Sequence, residues 1–273
     1  PPTSLGEECF MTAPRFTALV LAGSRGAVDP VAQAAGVAHK ALAVVGGQPM
    51  LQRVVDALRA SPAVGRIVLA LQDREIIDTL PALAAAVARD EIAVMTTQAS
   101  PALTVEAAIR TLPDAFPLLV TTSDHALLTA DIIASFIGGV TPDAEVAVGL
   151  ATRTSILAAY PDSVRTFIRL GGEGYSGCNL FAFTRPEAAQ AVAFWAMMER
   201  YRKTPWKIAA SIGLWPLLRY ALGWLDLRGA FGELSRLIGV RGVPVILPQP
   251  EAAIDVDKPS DLVQVERILS QRR

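Results

Sequence analysis

"LVLAGSRGAVDPVAQAAGVAHKALAVVGGQPML", residues Leu19 to Leu51, starts as an apolar run and then breaks into Gly-Ser-Arg-Gly. An apolar run without polar alternation fits a strand covered on both faces, the usual state of parallel sheets flanked by helices. The small residues after it let the chain turn sharply and bring backbone N–H groups close to an anion, with a helix start beyond adding partial positive charge. Gly23 and Gly26 supply room, Arg25 a guanidinium, and Lys40, well downstream, a second cation. "HKALAVVGGQPML" reads as a short strand, a Gly-Gly turn and a helix headed by Pro49, an arm folding the lysine back over the glycines. A tight connection after the first strand would use the same glycines, so both readings stand at this point.

Outward from this stretch the chain keeps one rhythm. Phe16–Ala22, Arg66–Leu71, Ile92–Thr97, Pro117–Ser123 and Glu145–Leu150 read as strands. "PMLQRVVDALRA", "IIDTLPALAAAVARD", "TVEAAIRTLP" and "TADIIASFIGG" lie between them with helical spacing. Strand and helix in alternation predict an α/β fold of three layers (αβα), a doubly wound and mainly parallel sheet. After Leu150 the rhythm changes: "TFIRLGGEGYSGCNLFAFT" reads as strand, turn and strand, and a long helical stretch runs from Pro186 to about Ile238. "VPVILPQP" supplies a last strand, and "DKPSDLVQVERILSQ" a closing helix with Ser260 or Asp261 near its first turn. The expected organisation is a tail over 1–12 and one domain over 13–273, with parts at 13–150, 151–245 and 246–273.

The totals narrow the function. With 273 residues and 52% hydrophobic composition, the chain can bury a large sheet. Its 25 basic and 26 acidic side chains create no global field toward nucleic acid or anionic lipid, so a phosphate ligand needs a local site. Two cysteines, Cys9 and Cys178, suggest neither a disulfide framework nor a zinc site and suit a reducing cytoplasm. No uncharged apolar run reaches the roughly 18 residues of a bilayer span. "PPTSLGEECF" lacks the pattern of a secretory signal, and Met11 reads as a possible natural start.

Ligands of open α/β sheets sit beyond the carboxyl ends of the strands. Besides "LAGSRG", two such ends carry chemistry. In "TTSDHALLT", Asp124 follows a buried run and can hold a divalent cation. A helix-cap role fits Thr129 better, and His125 reads as a space-filling neighbour. In "AIDVDKPSDL", Asp255 and Asp257 are one residue apart and on a strand would point to one side. Asp257, at the turn into the helix, is the better metal candidate; Asp255 orients it or bonds backbone, and Asp261 is helix-terminal. "GEGYSG", Gly172 to Gly177, satisfies G-x-G-x-x-G but leads into a strand pattern, which rejects it as a dinucleotide site; a dehydrogenase on the same sheet would need a helix after such a motif and a melt that responds to nicotinamide. P-loop, G-x-S-x-G and zinc motifs are missing.

Taken in order, "LVLAGSRG", "HKALAVVGGQPML", "TTSDHALL" and "IDVDKPSDL" resemble the nucleotidyltransferases related to the molybdenum cofactor guanylyltransferase, the MobA-like NTP transferases. The likeness covers about Phe16 to Leu262. It implies a Rossmann-like nucleotidyltransferase fold with an acceptor-side region. It also implies that Leu21, Ala22, Gly23, Ser24 and Gly26 meet the nucleotide, that Arg25 and Lys40 bind its phosphates, and that Asp124 and Asp257 hold one Mg²⁺. By alignment Ser100 and Thr104 line the base pocket, and Gly177 and Asn179 face the acceptor; for Ser100, Thr104 and Asn179 ordinary turn hydrogen bonding is the competing role. Three positions depart from the pattern. The second arginine is replaced by Val28, leaving Arg25 alone or Arg53 or Arg153 as substitutes; Ala126 stands for proline; Lys258 and Ser260 stand for threonine and glutamate.

The implied reaction is attack of an acceptor phosphate oxygen on the α-phosphorus of a nucleoside triphosphate, with loss of pyrophosphate. A phosphate acceptor is already ionised, so a general base is unnecessary, which suits a chain with only two histidines. A catalytically dead nucleotide-binding module would not need the two acids. Trp195, Trp206, Trp215 and Trp224 cluster with Arg200, Arg202, Lys203 and Lys207. They read either as helices packed on the sheet or as an interfacial surface. The second reading would make the acceptor a lipid-linked phosphate and the protein peripheral to the inner membrane face.

Overall fold

A computed structural model describes residues 14–24, 29–201, 204 and 213–272. The expected tail over 1–12 lies outside the described residues. β1 (Phe16–Ala22) is buried along its whole length. Its side chains alternate between two cores: Ala18 and Val20 join one hydrophobic cluster, Leu19 and Leu21 the other. That two-sided burial explains why the sequence shows no polar alternation here.

Parallel to β1 lie β4 (Val64–Leu71) on one side and β6 (Leu118–Thr122) on the other, with β5 (Ile92–Thr96) beyond β4. Then comes a change of direction. β9 (Glu173–Phe183) runs antiparallel between β6 and β7 (Val146–Thr152), and β10 (Gly242–Ile246) pairs parallel with β7 at the edge. β8 (Ile168–Leu170) forms a hairpin with β9, completing an eight-stranded sheet among the described residues. The sheet is therefore mixed and mostly parallel. A separate two-stranded hairpin, β2 (Val44–Val45) and β3 (Gln48–Pro49), turns at Gly46 and Gly47. Both have positive φ, 59° and 82°, which a side chain would strain.

Helices cover both faces. α2 (Met50–Ala60) and α6 (Ala130–Gly138) bury Leu51, Val54, Leu58, Ile133 and Phe136 in the first cluster. α5 (Pro101–Thr111) and α8 (Ala189–Tyr201) bury Val105, Ala108 and Val192 in the second. A third cluster lies beyond the sheet's carboxyl end. It joins Val31, Ala43, Val45 and Met50 from the amino-terminal arm to Ile254, Val256, Val265 and Leu269 from the last segment. This small core fastens together two stretches of chain that each carry site residues.

Most element ends shift by one or two residues from the sequence reading, α5 begins three residues early at Pro101 and β10 ends at Ile246, and three differences change the elements themselves. "IIDTLPALAAAVARD" is two helices, Glu75–Asp78 and Pro81–Ala88, because Leu80 before proline is pushed out of the helical region to φ −122° and ψ 81°. The stretch from Pro186 to Ile238 is likewise divided: α8, then a helix at Leu214–Ala221 after Gly213, then one at Leu227–Ile238 after Gly223. Asp255 and Asp257 are not on a strand. They follow a short 3₁₀ turn, Pro250–Ala253, in irregular chain before the helix Pro259–Gln271.

Candidate active site

Strand order reverses its direction of growth at β1, and the amide of Ser123, just past β6, donates to the carbonyl of Leu21 at 3.0 Å. Side-chain chemistry gathers at this switch point. Ala22 is wholly buried in the core, so only its backbone can meet a ligand. Gly23 is exposed, its φ is not positive, and a Cβ added there would meet nothing nearer than Thr97 Cγ2 at 3.5 Å. Nothing in the fold demands glycine at that position; the space a side chain would take opens into the cleft. Ser24 N donates to Gln72 Oε1 at 3.1 Å. Arg25 and Gly26 lie outside the described residues. The helix start expected to add positive charge does not do so: in the helix Pro30–Ala35 the amides of Val31 and Ala32 already donate to the carboxylate of Asp29, at 2.9 and 3.1 Å.

Lys40 opens the 3₁₀ turn Lys40–Leu42, which His39 caps by accepting from Ala41 N at 3.1 Å. Its side chain is 14% exposed, and its ammonium lies 2.5 Å from Asp124 Oδ2 and 3.5 Å from Asp257 Oδ1. Burial pulls the Lys40 pKa down, but the carboxylates of Asp124 first, then Asp257 and Asp29, together outweigh burial and hold the group above its ordinary value. The amine is a cation at every physiological pH. Asp124 Oδ1 is buried with no hydrogen-bond partner among the described residues. Asp257, by contrast, is 61% exposed and faces the cleft.

Two hydrogen-bonded connections bring Asp257 here. Val256 N donates to the carbonyl of Asp124 at 3.1 Å. Asp261, in the first turn of the last helix, accepts from Asp257 N and Lys258 N at 3.0 and 2.9 Å. Its carboxylate thus caps the helix and shapes the loop, the structural role read from the sequence. Sequence reasoning missed Arg165, which supports both. This buried guanidinium pairs with the Asp255 carboxylate, donates to the Asp255 carbonyl at 2.8 Å and approaches Asp261 Oδ1 at 3.7 Å. Asn179 holds the other oxygen of Asp255 through Nδ2 at 2.9 Å. It does so from φ 49°, beside a register shift in β9, a left-handed conformation that asparagine tolerates better than most residues. Burial pushes the Asp255 carboxyl up; Arg165 opposes this, and Asp124 and Asp257 add to it.

The cleft has a volume of about 1770 Å³. One wall is the ends of β4 and β5 with the start of α5, where Gln72, Thr97, Gln98, Ser100 and Thr104 are found. Ser100 caps α5 by accepting from Leu103 N, and the Thr104 hydroxyl links Gln98 N to the Ser100 carbonyl, both at 2.9 Å. The turn bonding weighed as their competing role is present. α8 packs against α5 and adds Trp195, Met197, Met198 and Arg200 to the lining. Trp195 stacks on Phe181, centroids 5.3 Å apart. Asn179 lines the cleft, whereas Gly177 does not, and a Cβ there meets nothing within 4 Å.

Neither Arg53 nor Arg153 lines the cleft. Arg53 Nε donates to the Ala126 carbonyl at 3.1 Å, and Arg153 packs against Gly174. His125 is completely buried, which pushes its pKa down to about 4, so it is neutral packing. Packed-helix and interfacial readings divide the tryptophans. Trp195 lies against the second core, while Trp215 and Trp224 are 62% and 66% exposed; Trp206, Arg202, Lys203 and Lys207 lie outside the described residues.

With this geometry in view, the comparisons with known proteins converge. Residues 18–209 match the family described as the MobA-like NTP transferase domain. A hypothetical transferase from Thermus thermophilus superposes with a TM-score of 0.75 and 27% identity, over 91% of this chain and 99% of that one. CMP:2-keto-3-deoxy-manno-octonic acid synthetase, solved with CTP, gives 0.53 at 15% identity over 96% of this chain and 100% of its own. The 4-diphosphocytidyl-2C-methyl-D-erythritol synthase of Anaerococcus prevotii gives 0.57 at 11%, over 94% and 99%. These last two likenesses are of fold. No curated protein matches the chain in sequence.

Proposed function

The chain belongs to the family of MobA-like NTP transferase domains, and from that premise we propose that it moves a nucleoside monophosphate from a nucleoside triphosphate to a phosphorylated acceptor, releasing pyrophosphate, with Mg²⁺ as cofactor. One observation carries the reading. Asp124 and Asp257, remote in sequence, meet at one ammonium in the cleft that Gly23 also lines, and one buried oxygen of Asp124 has no partner among the described residues.

The donor set suits Mg²⁺, which is commonly held by one or two carboxylates together with water and substrate phosphates. No group of three or more candidate ligands occurs among the described residues, so the phosphates would complete the shell. Asp124 and Asp257 would hold the ion, and its chemistry there is neutralisation of charge on the reacting phosphates.

The rest is the work of the chain's own residues. Two anions must approach one another, so positioning and charge compensation dominate this chemistry. The backbone after Leu21 and Ala22, open at Gly23 and Ser24, receives the triphosphate, and Arg25 and Gly26, next in sequence, share in that role. Lys40 and Arg25 stabilise the charge that develops on pyrophosphate, and the raised pKa of Lys40 keeps its proton in place. Ser100 and Thr104 shape the base side; Asn179, with Gly177 nearby on β9, belongs to the acceptor side. A cleft of about 1770 Å³ exceeds the ~300–1,000 Å³ of a single-ligand pocket, which leaves room for two substrates side by side. Neither histidine is needed as a base.

A second reading, a lipid-linked phosphate as acceptor with peripheral membrane contact, has Trp215, Leu218, Leu222 and Trp224 exposed in its favour. No helix among the described residues is long and apolar enough to cross a membrane. Co-sedimentation with anionic vesicles tests this reading, and a protein left wholly in the supernatant excludes it. The main test is thermal denaturation with each of the four triphosphates, with and without Mg²⁺. One triphosphate should stabilise the fold by roughly 2.7 kcal/mol at a hundred times its Kd. NAD should leave the melt unmoved. If all four triphosphates leave it unmoved too, the proposal fails.

A further inference from the structure

We propose that Lys40 is the resident counter-ion of the metal site, so that the site takes up a divalent cation together with a nucleoside triphosphate and holds the free ion poorly. The inference rests on the nucleotidyltransferase reading and concerns the state of the site before substrate arrives.

Asp124, Asp255, Asp257 and Asp261 converge on this end of the sheet, and the cations paired with them are Lys40 and Arg165. Arg165 neutralises the rear pair, Asp255 and Asp261. Among the described residues Lys40 alone faces the front pair, with Nζ 2.5 Å from one carboxylate and 3.5 Å from the other. An Mg²⁺ ion needs oxygens at about 2.0–2.1 Å in near-octahedral array. An ammonium in contact with Asp124 Oδ2 occupies the space such an ion would fill and repels it besides. Ion and ammonium are therefore alternatives at that oxygen. The unpartnered Oδ1 of Asp124 adds to this: Lys40 satisfies half of the acid, and a second cation has something left to gain.

Lys40 is also built to leave. Its backbone is fixed by the His39 cap and by buried Ala41 and Ala43, while the charge sits at the end of a flexible four-carbon stem. The same side chain lines the cleft with Gly23 and Ser24. A triphosphate laid on that loop offers the ammonium new oxygens and releases the carboxylates to the ion. Linkage then requires that metal tighten nucleotide binding by the factor with which nucleotide tightens metal binding.

Mn²⁺ serves as the probe, its binding read by loss of the free-ion EPR signal, with no turnover involved. Without nucleotide, Lys40→Met should bind Mn²⁺ more tightly than wild type, within the about 5–150-fold of typical site coupling. Lys40→Gln, which keeps a hydrogen bond to Asp124, should do the same and serves if Lys40→Met does not fold. Folded variants that bind Mn²⁺ no more tightly than wild type overturn the inference. Asp124→Asn separates the two levels of the argument. If it loses the Mn²⁺ bound in the presence of triphosphate while the lysine variants show no gain, only the counter-ion role is wrong. If it binds Mn²⁺ as wild type does, the metal site itself is misplaced, and the inference falls with it.

Discussion

Replacing Arg165 with methionine tests the foundation under the site. The guanidinium side chain is 8% exposed, and its loss would strand two acids, Asp261 at 8% and Asp255 at 22% side-chain exposure. Breaking a buried pair by removing one partner costs about 3–5 kcal/mol, because the survivor keeps its desolvation penalty without compensation. Typical stabilities of about 5–15 kcal/mol leave the variant folded but lower its melting temperature by roughly 10 °C. The deficit should depend on pH, with a definite sign. The Asp255 pKa is already raised in the folded protein, first by burial, and removing Arg165 raises it further. A carboxyl raised on folding contributes stability that is full below its unfolded value near 3.8 and is lost as pH rises through the folded value. The gap between variant and wild type should therefore be widest near pH 8 and narrow toward pH 4, close to the unfolded value. Urea denaturation followed by circular dichroism at both pH values measures it, and Arg165→Met/Asp255→Asn should recover much of the loss. A deficit below about 1 kcal/mol at pH 8, or one of equal size at both pH values, would refute the assignment of Arg165 as the neutralising partner.

Two further substitutions probe the front of the site. Gly23→Ala should change stability by less than about 0.5 kcal/mol, since the added methyl meets only Thr97 at ordinary contact, yet it should weaken triphosphate binding in calorimetry. Unchanged affinity would return Gly23 to the role of a simple turn. Asp124→Asn should lower pyrophosphate release at least about 10²–10³-fold while a cooperative melt persists; near-normal Mg²⁺-dependent release would remove Asp124 from the chemistry.

What the sequence discloses about this fold follows from how local each signal is. β1 could be read from seven residues because burial on both faces leaves a continuous apolar run. Asp124 and Asp257 stand out because each sits just beyond a strand or before a helix, where a polar residue interrupts an apolar pattern, and Lys40 because it heads the arm that the Gly-Gly turn folds back. Arg165 has no such signature: it lies in irregular chain after the helix Arg153–Ala159, and its partners are some 90 residues downstream. Gln72, Thr97 and Gln98 follow the ends of β4 and β5 and could have been found by treating those strand ends like the other three. The antiparallel course of β9 was hidden because a strand's period says nothing of its direction. Loss of strand geometry at Asp255 and Asp257 was equally invisible: a hydrogen bond from Val256 to Asp124, rather than a ladder, sets that backbone.

That last contact has a consequence for biosynthesis. Residues 14–150 contain the glycine turn, Lys40 and Asp124, and they leave the ribosome long before Asp257 does. A nascent chain of that length carries Lys40 and one acid of the pair, but not the carboxyl-terminal half of the small core that fastens the arm. The second arrives only when the carboxyl-terminal segment docks and Asp261 closes its cap. The pairing of Asp124 and Asp257 around Lys40 is thus completed only in a late step of chain synthesis.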